Sequence, residues 1–127
     1  MAKDFKQYYI LKASPEAVYA ALTNAATLQL WTGEQAIMEP IADTEFSLWE
    51  GSISGKNISF EKNKKIVQQW FFGDAEKDSI VTIILHEHRQ GCSVELRHSN
   101  IPDEAFEEIV EGWNETYFYA LEDFYAE

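Results

Sequence analysis

The sequence predicts an α+β fold in which a curved antiparallel sheet packs against one long C-terminal helix. After Pro102, apolar residues recur at three- and four-residue spacing almost to the end of the chain, as in an amphipathic helix. Before Pro102, short β-rich segments follow one another across short turns, which is typical of an antiparallel meander. Between the first of these segments and the rest, Ser14-Pro15 supplies a helix start.

The first third of the chain predicts a strand followed by two short helices. Residues 5–13 are rich in aromatic and branched side chains and predict the first strand. Ser14 is a favourable N-cap, and Pro15 at the first helical position loses no hydrogen bond that the helix needs. Asn24 can cap the second helix, and Gly33 can end it in a left-handed conformation. The apolar sides of these helices carry Val18, Ala21, Leu22, Leu28 and Trp31.

The middle of the chain predicts about six strands, so the sheet has six or seven strands in all. Each segment alternates apolar and polar residues or is a run of β-branched residues, and each is bounded by turn residues. The segments are residues 36–38, 46–49, 53–60, 65–72, 79–88 and 92–99. A turn at residues 89–91 joins the last pair as a hairpin.

From Asp103 the sequence predicts a helix with an apolar stripe and an acidic back. A helix with a stripe this broad must cover an apolar surface, and the sheet is the only large candidate. Phe118, Tyr119 and Tyr125 are expected at the margins of the stripe, against the first two helices or a partner. The stripe comprises Phe106, Ile109, Val110, Trp113, Tyr117, Ala120, Leu121 and Phe124, and the back Glu104, Glu107, Glu108, Glu111, Glu115 and Glu122.

Length and charge limit the classes of function. The chain has 127 residues, of which 46% are hydrophobic, so residues 1–127 are expected to form a single domain with a real core. A formal net charge of −12, with 10 basic residues against 22 acidic ones, argues against nucleic acid and anionic membranes as partners. No apolar run is long enough to span a bilayer, so no membrane insertion is expected.

The N-terminus and the single cysteine favour a cytoplasmic protein. Residues 1–6 contain no apolar signal segment. Cys92 has no partner for an internal disulfide, which suits a reducing compartment. Because Cys92 follows a glycine at the start of a strand, an unreactive structural thiol is favoured over a reactive one.

Short motifs run in order along almost the whole chain and give it a family resemblance. They are residues 14–19 at the first helix, the glycine-framed residues 51–55, the strand at residues 66–70, Ile101-Pro102, Gly112-Trp113, Tyr117-Phe118 and Leu121. In these motifs the chain resembles the C-terminal domain of activators of the heat-shock protein 90 ATPase and their single-domain bacterial homologues. These belong to the START and pollen-allergen superfamily, so the resemblance implies a helix-grip fold, often with a cavity between sheet and helix.

The resemblance has one departure at the end of the Trp70 strand. The family often has an arginine after this tryptophan, whereas this chain has Phe71. Any partner or ligand contact that the arginine makes in the family is therefore not expected from Phe71. The 127 residues resemble the C-terminal domain alone, so among them we expect no counterpart of the separate N-terminal domain with which the eukaryotic activators engage the chaperone. The resemblance therefore implies first of all the fold.

Aromatic residues and one histidine are the candidates for lining a cavity. Ligand pockets are mostly apolar and aromatic, although the same side chains can equally fill a solid core. Gly112 costs about 1 kcal/mol inside a helix relative to alanine, so we expect it to allow close approach of the sheet or of a ligand. The ligand-cavity candidates are Trp31, Trp49, Phe60, Trp70, Phe72, His98, Trp113 and Tyr117.

The sequence contains no recognisable catalytic or metal-binding motif, so we assign no catalytic residues, no metal and no cofactor. His86 and His88 share one strand face but lack an evident third ligand, so solvated histidines are favoured over a metal site. If the chain were an enzyme, Glu61, His98 and Tyr117 are the residues we would expect to exchange protons.

Three functions follow from these features. The first is a non-enzymatic binding domain whose cavity takes a small hydrophobic ligand. The alternative is a co-chaperone-like interaction module that stimulates a heat-shock protein 90 ATPase or acts in the stress response. The third is a small-molecule cyclase or hydrolase. A homodimer is a further expected assembly.

Overall fold

The structure, a computed structural model, describes residues 2–49, 51–72 and 78–126. Strand β1 (Lys3–Leu11) leads into helices α1 (Pro15–Thr23) and α2 (Ala25–Thr32). Strands β2 (Glu45–Leu48), β3 (Ile53–Glu61), β4 (Lys65–Trp70), β5 (Ser79–His88) and β6 (Gly91–Ile101) follow. The C-terminal helix begins with a short 3₁₀ turn (Asp103–Ala105) and continues as α3 (Phe106–Gly112), a π turn (Trp113–Tyr117) and α4 (Phe118–Phe124). The α+β helix-grip prediction is confirmed.

The six strands form one antiparallel sheet in the order β1-β6-β5-β4-β3-β2. Consecutive strands from β2 to β6 are neighbours, as short turns require, and β1 crosses over to pair with β6. Helix α1 packs on β5 and β6, and α4 packs on β1 and α2, so one face of the sheet carries the core. Outward-facing side chains such as Lys6, Tyr8 and Arg97 alternate with the buried ones.

The helix caps form as the sequence predicts. The backbone N–H of Ala17 donates to Ser14 Oγ at 3.2 Å, and that of Thr27 donates to Asn24 Oδ1 at 3.0 Å. Gly33 ends α2 with a φ of 78°, a left-handed conformation that glycine adopts without steric cost. These local signals fix where α1 and α2 begin and end, independently of the sheet.

One predicted strand is absent, and two end two residues earlier than predicted. Residues 36–38 form only an isolated bridge, between Ile37 and Ser47. Strand β1 ends at Leu11 rather than at residue 13, and β4 ends at Trp70 rather than at residue 72. The segment before β2 is held instead by the buried Asn57. Its side-chain amide donates to the Glu39 carbonyl at 3.2 Å and to Thr44 Oγ1 at 3.1 Å. These hydrogen bonds from a side chain hold the loop in place, so it does not need to pair with the sheet as an additional strand.

The C-terminal helix changes phase at the π turn, which corrects the predicted stripe. The backbone N–H of Phe118 donates to the carbonyl of Trp113, five residues earlier, so this turn holds one residue more than an α-helical turn. Residues beyond it are therefore rotated by one position relative to an unbroken α-helix, or about 100°. As a result Phe118 is fully buried and stacks on Tyr9 at 3.8 Å, whereas Phe124 is 39% exposed. Tyr125 lies half-buried against α1, where its hydroxyl donates to the Ala17 carbonyl, in agreement with the expectation that it packs against the first two helices.

Candidate functional site

An apolar groove of about 330 Å³ lies between the C-terminal helix and the β2–β3 turn. It is open to solvent on one side and enters the space between sheet and helix. Two short segments, one from the turn and one from the helix, thus form its opposite walls. Its aromatic lining comes from Trp49, Trp70, Trp113 and Tyr117, and its remaining lining from Ser52, Ile53, Glu108, Ile109, Gly112 and Thr116.

The four aromatic rings reach the groove from different elements. Trp49 follows β2 with a φ of 51°, a backbone conformation that bulky residues seldom adopt. Trp70 is the last residue of β4 and stacks on Trp113 at 4.7 Å with an interplanar angle of 28°. Tyr117 lies 5.9 Å from Trp49 and 4.7 Å from Trp113, inclined to them by 59° and 58°. The rings therefore form walls that face in different directions.

The π turn brings both Trp113 and Tyr117 to the groove. They are the first and last residues of this turn, and both are buried. Single π turns within α-helices are frequent at functional sites because they re-aim side chains without ending the helix. Trp113 is 1% exposed, so it belongs to the core as well as to the groove wall.

Gly112 leaves the groove open. A Cβ built at this position meets no protein atom within 4 Å, and the backbone has an ordinary helical φ of −61°. The expectation that the sheet approaches the helix closely at Gly112 is therefore wrong. The missing side chain instead leaves empty volume beside Trp113, at the place where a larger residue would enter the groove.

Tyr117 adds a phenol group to the lining of the groove. Tyr117 is 4% exposed, and burial raises the pKa of its phenol far above the usual value. Its hydroxyl makes no hydrogen bond with the described residues, among which every fully enclosed side-chain nitrogen and oxygen has a partner. The hydroxyl therefore touches solvent, and the groove is the solvent space that Tyr117 lines.

His98 lies behind the groove wall in a closed hydrogen-bond chain. Because an indole N–H can only donate, the Trp113 Nε1–H bond of 3.0 Å makes His98 Nδ1 an acceptor. His98 Nε2 must then carry the proton and donate to Ser79 Oγ at 2.8 Å, and Ser79 Oγ donates to the Ser99 carbonyl. Burial lowers the pKa of His98 from 6.5 to about 4, opposed by the nearby charge of Asp4. The histidine is thus neutral and orients Trp113.

The other predicted cavity residues lie around the groove rather than in its wall. Trp31 packs edge-on against Tyr117 at 5.2 Å, and its indole N–H donates to the Ala21 carbonyl. Phe72 lies 6.0 Å from His98, and Phe60 packs against the core further along β3. The structure therefore brings four of the eight candidates to the surface of the groove. The other four are not part of its lining and pack in the surrounding core.

Several residues that line the groove are not aromatic, and the sequence does not predict them as cavity residues. Ile109 was assigned to the apolar stripe one turn before Trp113, and that spacing could have identified it as a wall residue. Glu108 was assigned to the acidic back, yet it lies at the rim of the groove. Ser52, Ile53 and Thr116 reach the groove only because the β2–β3 turn faces the helix, a relation that no local pattern shows.

The residues considered for acid–base chemistry do not converge. Glu61 ends β3 six residues beyond Gly55, which pairs with Trp70, so it lies about 20 Å along the strand from the groove. His98 lies behind the groove wall with both ring nitrogens engaged, whereas Tyr117 lines the groove itself. These positions give no shared site for proton transfer.

The histidine pair and the cysteine have structural surroundings. His86 Nε2 pairs with Glu95 Oε1 at 3.0 Å, and His88 Nδ1 accepts the backbone N–H of Gln90. Cys92 is buried, and burial raises the pKa of its thiol to about 11, so the thiol is protonated at neutral pH. Within residues 2–49, 51–72 and 78–126, no group of three or more His, Cys, Asp or Glu is arranged to hold a metal ion.

A comparison of the sequence with protein families identifies its relatives. Residues 12–125 match the family described as "Activator of Hsp90 ATPase homolog 1-like protein". The chain belongs to this family. The match includes the β4 strand, the π turn and every residue that lines the groove. In this member, Phe71 is 45% exposed just beyond the end of β4, and it is not among the residues that line the groove.

Individual relatives agree with the family assignment. The Activator of 90 kDa heat shock protein ATPase homolog of Dictyostelium discoideum is 32% identical over 105 residues, or 80% of this chain. The match covers 27% of that relative, so the chain spans about a quarter of its length. Among the described residues, no helix of this family member is both long and apolar enough to cross a membrane.

Solved structures share the fold over nearly the whole chain. The crystal structure of an HSP90 activator from Plasmodium falciparum has a TM-score of 0.82 and 27% identity, covering 98% of this chain and 95% of that one. The solution structure of the Aha1 dimer from Colwellia psychrerythraea has a TM-score of 0.80 and 19% identity, covering 94% and 96%. The helix-grip arrangement is therefore common to this Hsp90-activator-like chain and these structures.

Proposed function

We propose that this protein is a binding domain whose groove, between the C-terminal helix and the β2–β3 turn, takes a small apolar ligand. The observation that carries the proposal is the lining: three tryptophans and Tyr117 around about 330 Å³ of open volume. Small-molecule sites are concave, mostly apolar and aromatic, and have volumes from about 300 Å³ upward. The Tyr117 hydroxyl supplies one polar group that can orient the ligand.

The position of Gly112 supports this proposal. An interior glycine costs a helix about 1 kcal/mol relative to alanine, yet no neighbouring protein atom requires it here. Packing therefore does not explain why this position is a glycine, whereas the need for free volume beside a ligand does. The buried hydrogen bond between Trp113 and His98 further fixes one wall, so the site is preorganised.

The test is a binding titration with neutral aromatic probes. Addition of indole or 2-naphthol is expected to shift the NMR signals of the Trp49, Trp70 and Trp113 side chains. Gly112→Leu fills the groove and should abolish these shifts, whereas the matched variant Gly112→Ala adds one methyl group and should retain them. Shifts that persist unchanged in Gly112→Leu would place binding elsewhere and reject the groove as the site.

A second proposed function is interaction with a heat-shock protein 90 chaperone. It is supported by the family to which the chain belongs and by the relatives described above, which are activators of the heat-shock protein 90 ATPase or homologues of such activators. The C-terminal helix adds an acidic surface, because Glu107 and Glu111 are exposed and form no ion pair with the described residues. Such a surface suits a basic region of a partner protein and would steer its association.

This second function is tested by measuring the ATPase rate of a purified heat-shock protein 90 with and without the protein. The rate is expected to rise. Double substitution of Glu107 and Glu111 by lysine should lower the stimulation, while Glu87→Lys, at the exposed end of β5, serves as the charge control. An unchanged rate together with no complex at micromolar concentrations counts against the interaction.

A homodimer is also proposed for this chain. The solution structure from Colwellia psychrerythraea is that of a dimer, and β1 of this chain, nine residues long, lies at one edge of the sheet. Exposed edge strands can pair with the same strand of a second copy. Sedimentation velocity over a range of concentrations checks this, and a constant monomer mass argues against it.

A further inference from the structure

The apolar groove has a carboxylate at its rim. Among the residues that the structure describes, Glu108 is the only charged one that lines the groove, and no described lysine or arginine does. Glu108 is exposed at the rim and forms no ion pair with any described residue. An unpaired carboxylate beside an apolar groove favours a ligand with a positive charge close to an apolar body.

The helix around the groove strengthens this preference. Nine of the 22 acidic residues lie at or after Asp103, and no lysine or arginine follows Arg97. Of the described acidic residues in this segment, only Asp103 forms an ion pair, with Lys3 at 3.2 Å. The carboxylates on α3 therefore add to a negative potential at the groove, where no lysine or arginine among the described residues lies in the lining, and this potential attracts cations and repels anions.

The aromatic walls favour the same kind of ligand. The faces of tryptophan and tyrosine rings carry negative electrostatic potential and bind ammonium groups, tryptophan best of all. Trp49, Trp113 and Tyr117 all line the groove, so a bound ammonium group would have aromatic rings as neighbours. Tyr117 is largely buried, but its hydroxyl still touches solvent. This hydroxyl can accept a hydrogen bond from a protonated amine.

We infer that the groove selects an organic cation, an ammonium group on a small apolar or aromatic body. The ammonium group would lie between Glu108 and the rings of Trp49 and Tyr117, with the apolar body against Trp70 and Trp113. This inference rests on the proposed ligand-binding function and specifies the chemical class of the ligand. It distinguishes the groove from one that takes neutral or anionic apolar molecules.

Three probes with the same aromatic body test the charge preference directly. 2-Phenylethylammonium, 2-phenylethanol and phenylacetate carry a cationic, a neutral and an anionic head group. By NMR titration at low salt, the cation is expected to bind about tenfold more tightly than the alcohol. Phenylacetate should bind most weakly, and added NaCl should reduce the advantage of the cation because salt screens the carboxylates.

Two variants of equal net charge separate the groove from the overall field. Glu108→Gln should weaken binding of 2-phenylethylammonium about fivefold and leave 2-phenylethanol unchanged. Glu107→Gln removes the same charge from an exposed position on the same helix that does not line the groove. It should change the affinity for the cation less than twofold. Equal losses in the two variants would overturn the role of Glu108.

The outcomes also separate this inference from the function on which it rests. If 2-phenylethanol binds as tightly as the ammonium ion, and Gly112→Leu abolishes both, the groove binds ligands but the charge preference is overturned. If no probe binds in a way that Gly112→Leu abolishes, the proposed ligand-binding function fails as well. Tight binding of phenylacetate would likewise overturn the cation preference.

Discussion

Single residues decide how open and how rigid the groove is. Gly112 leaves volume free beside Trp113, and His98 holds Trp113 in place through one buried hydrogen bond. The sequence indicated both residues, because an interior helix glycine and an inward-facing strand histidine are each unusual. It did not show their roles, since whether a residue meets atoms or empty space depends on elements far apart in the chain.

Gly112→Ala is expected to stabilise the protein by about 0.5–1 kcal/mol. The added Cβ meets nothing within 4 Å, and alanine removes the conformational cost of an interior helix glycine. Urea unfolding monitored by circular dichroism measures the change, with Gly33→Ala as the contrast. Gly33 has a φ of 78°, so alanine there should destabilise the fold. A loss of stability in Gly112→Ala would show that the helix does not tolerate a side chain at this position.

His98 is expected to make stability fall as the pH drops below its ordinary pKa. The folded protein binds this proton with a pKa of about 4, against 6.5 for an unperturbed histidine, so the unfolded state takes up the proton first. The stabilisation is complete above pH 6.5 and is lost as the pH falls towards 4, by about 2–3 kcal/mol in all. Urea unfolding between pH 7 and 4.5 measures this loss.

The matched variant is His98→Asn, which cannot titrate in this range. Its unfolding free energy should be lower at pH 7, but the difference from the native protein should shrink as the pH falls. Taking the difference removes the contribution of the many carboxylates, which both proteins share. A difference that stays constant from pH 7 to pH 4.5 would contradict a neutral, buried His98.

At the scale of elements, the π turn decides which residues of the C-terminal helix face the core. An unbroken 3.6-residue period predicts Phe124 in the stripe and Phe118 at its margin. The π turn contains one residue more than an α-helical turn, so the set of residues that face the core shifts by one position after it. Beyond the turn, the core-facing residues include Phe118, Leu121 and Tyr125. A π turn has no sequence signature that separates it from an α-helical turn, so periodicity alone could not place these side chains.

Two phenylalanine substitutions test this phase shift. Phe118→Ala is expected to destabilise the protein by about 3–5 kcal/mol, because it empties a fully buried site that stacks on Tyr9. Phe124→Ala should cost less than about 1 kcal/mol, because that ring is 39% exposed. Chemical denaturation measures both values. The reverse order would mean that the helix continues without a phase change.

At the scale of the whole molecule, charge is distributed unevenly. All 10 basic residues precede His98, whereas the C-terminal helix is acidic throughout, and the net charge is −12. Composition and order in the sequence already determine this imbalance. Only the fold shows that the acidic helix borders the aromatic groove rather than a remote surface, because the groove forms where the helix meets the β2–β3 turn.

Salt is expected to stabilise the molecule. With few ion pairs among the described residues and many unpaired carboxylates, repulsion outweighs attraction, and screening it favours the folded state. Raising NaCl from about 10 to about 150 mM, where the Debye length falls to about 8 Å, should raise the melting temperature by a few degrees. The combined Glu107→Gln and Glu111→Gln variant should show a smaller rise. A melting temperature that falls with salt would contradict this balance.

The sequence by itself determined the features that depend on neighbouring residues. The caps at Ser14 and Asn24, the end of α2 at Gly33, most of the strand alternation and the acidic back of the last helix are local, so short-range physics fixes them. The tertiary structure alone decided the phase of the helix after Trp113, the burial of Phe118 and the space beside Gly112. These depend on how the helix meets a sheet formed from distant segments, and the same meeting leaves a groove instead of a solid core.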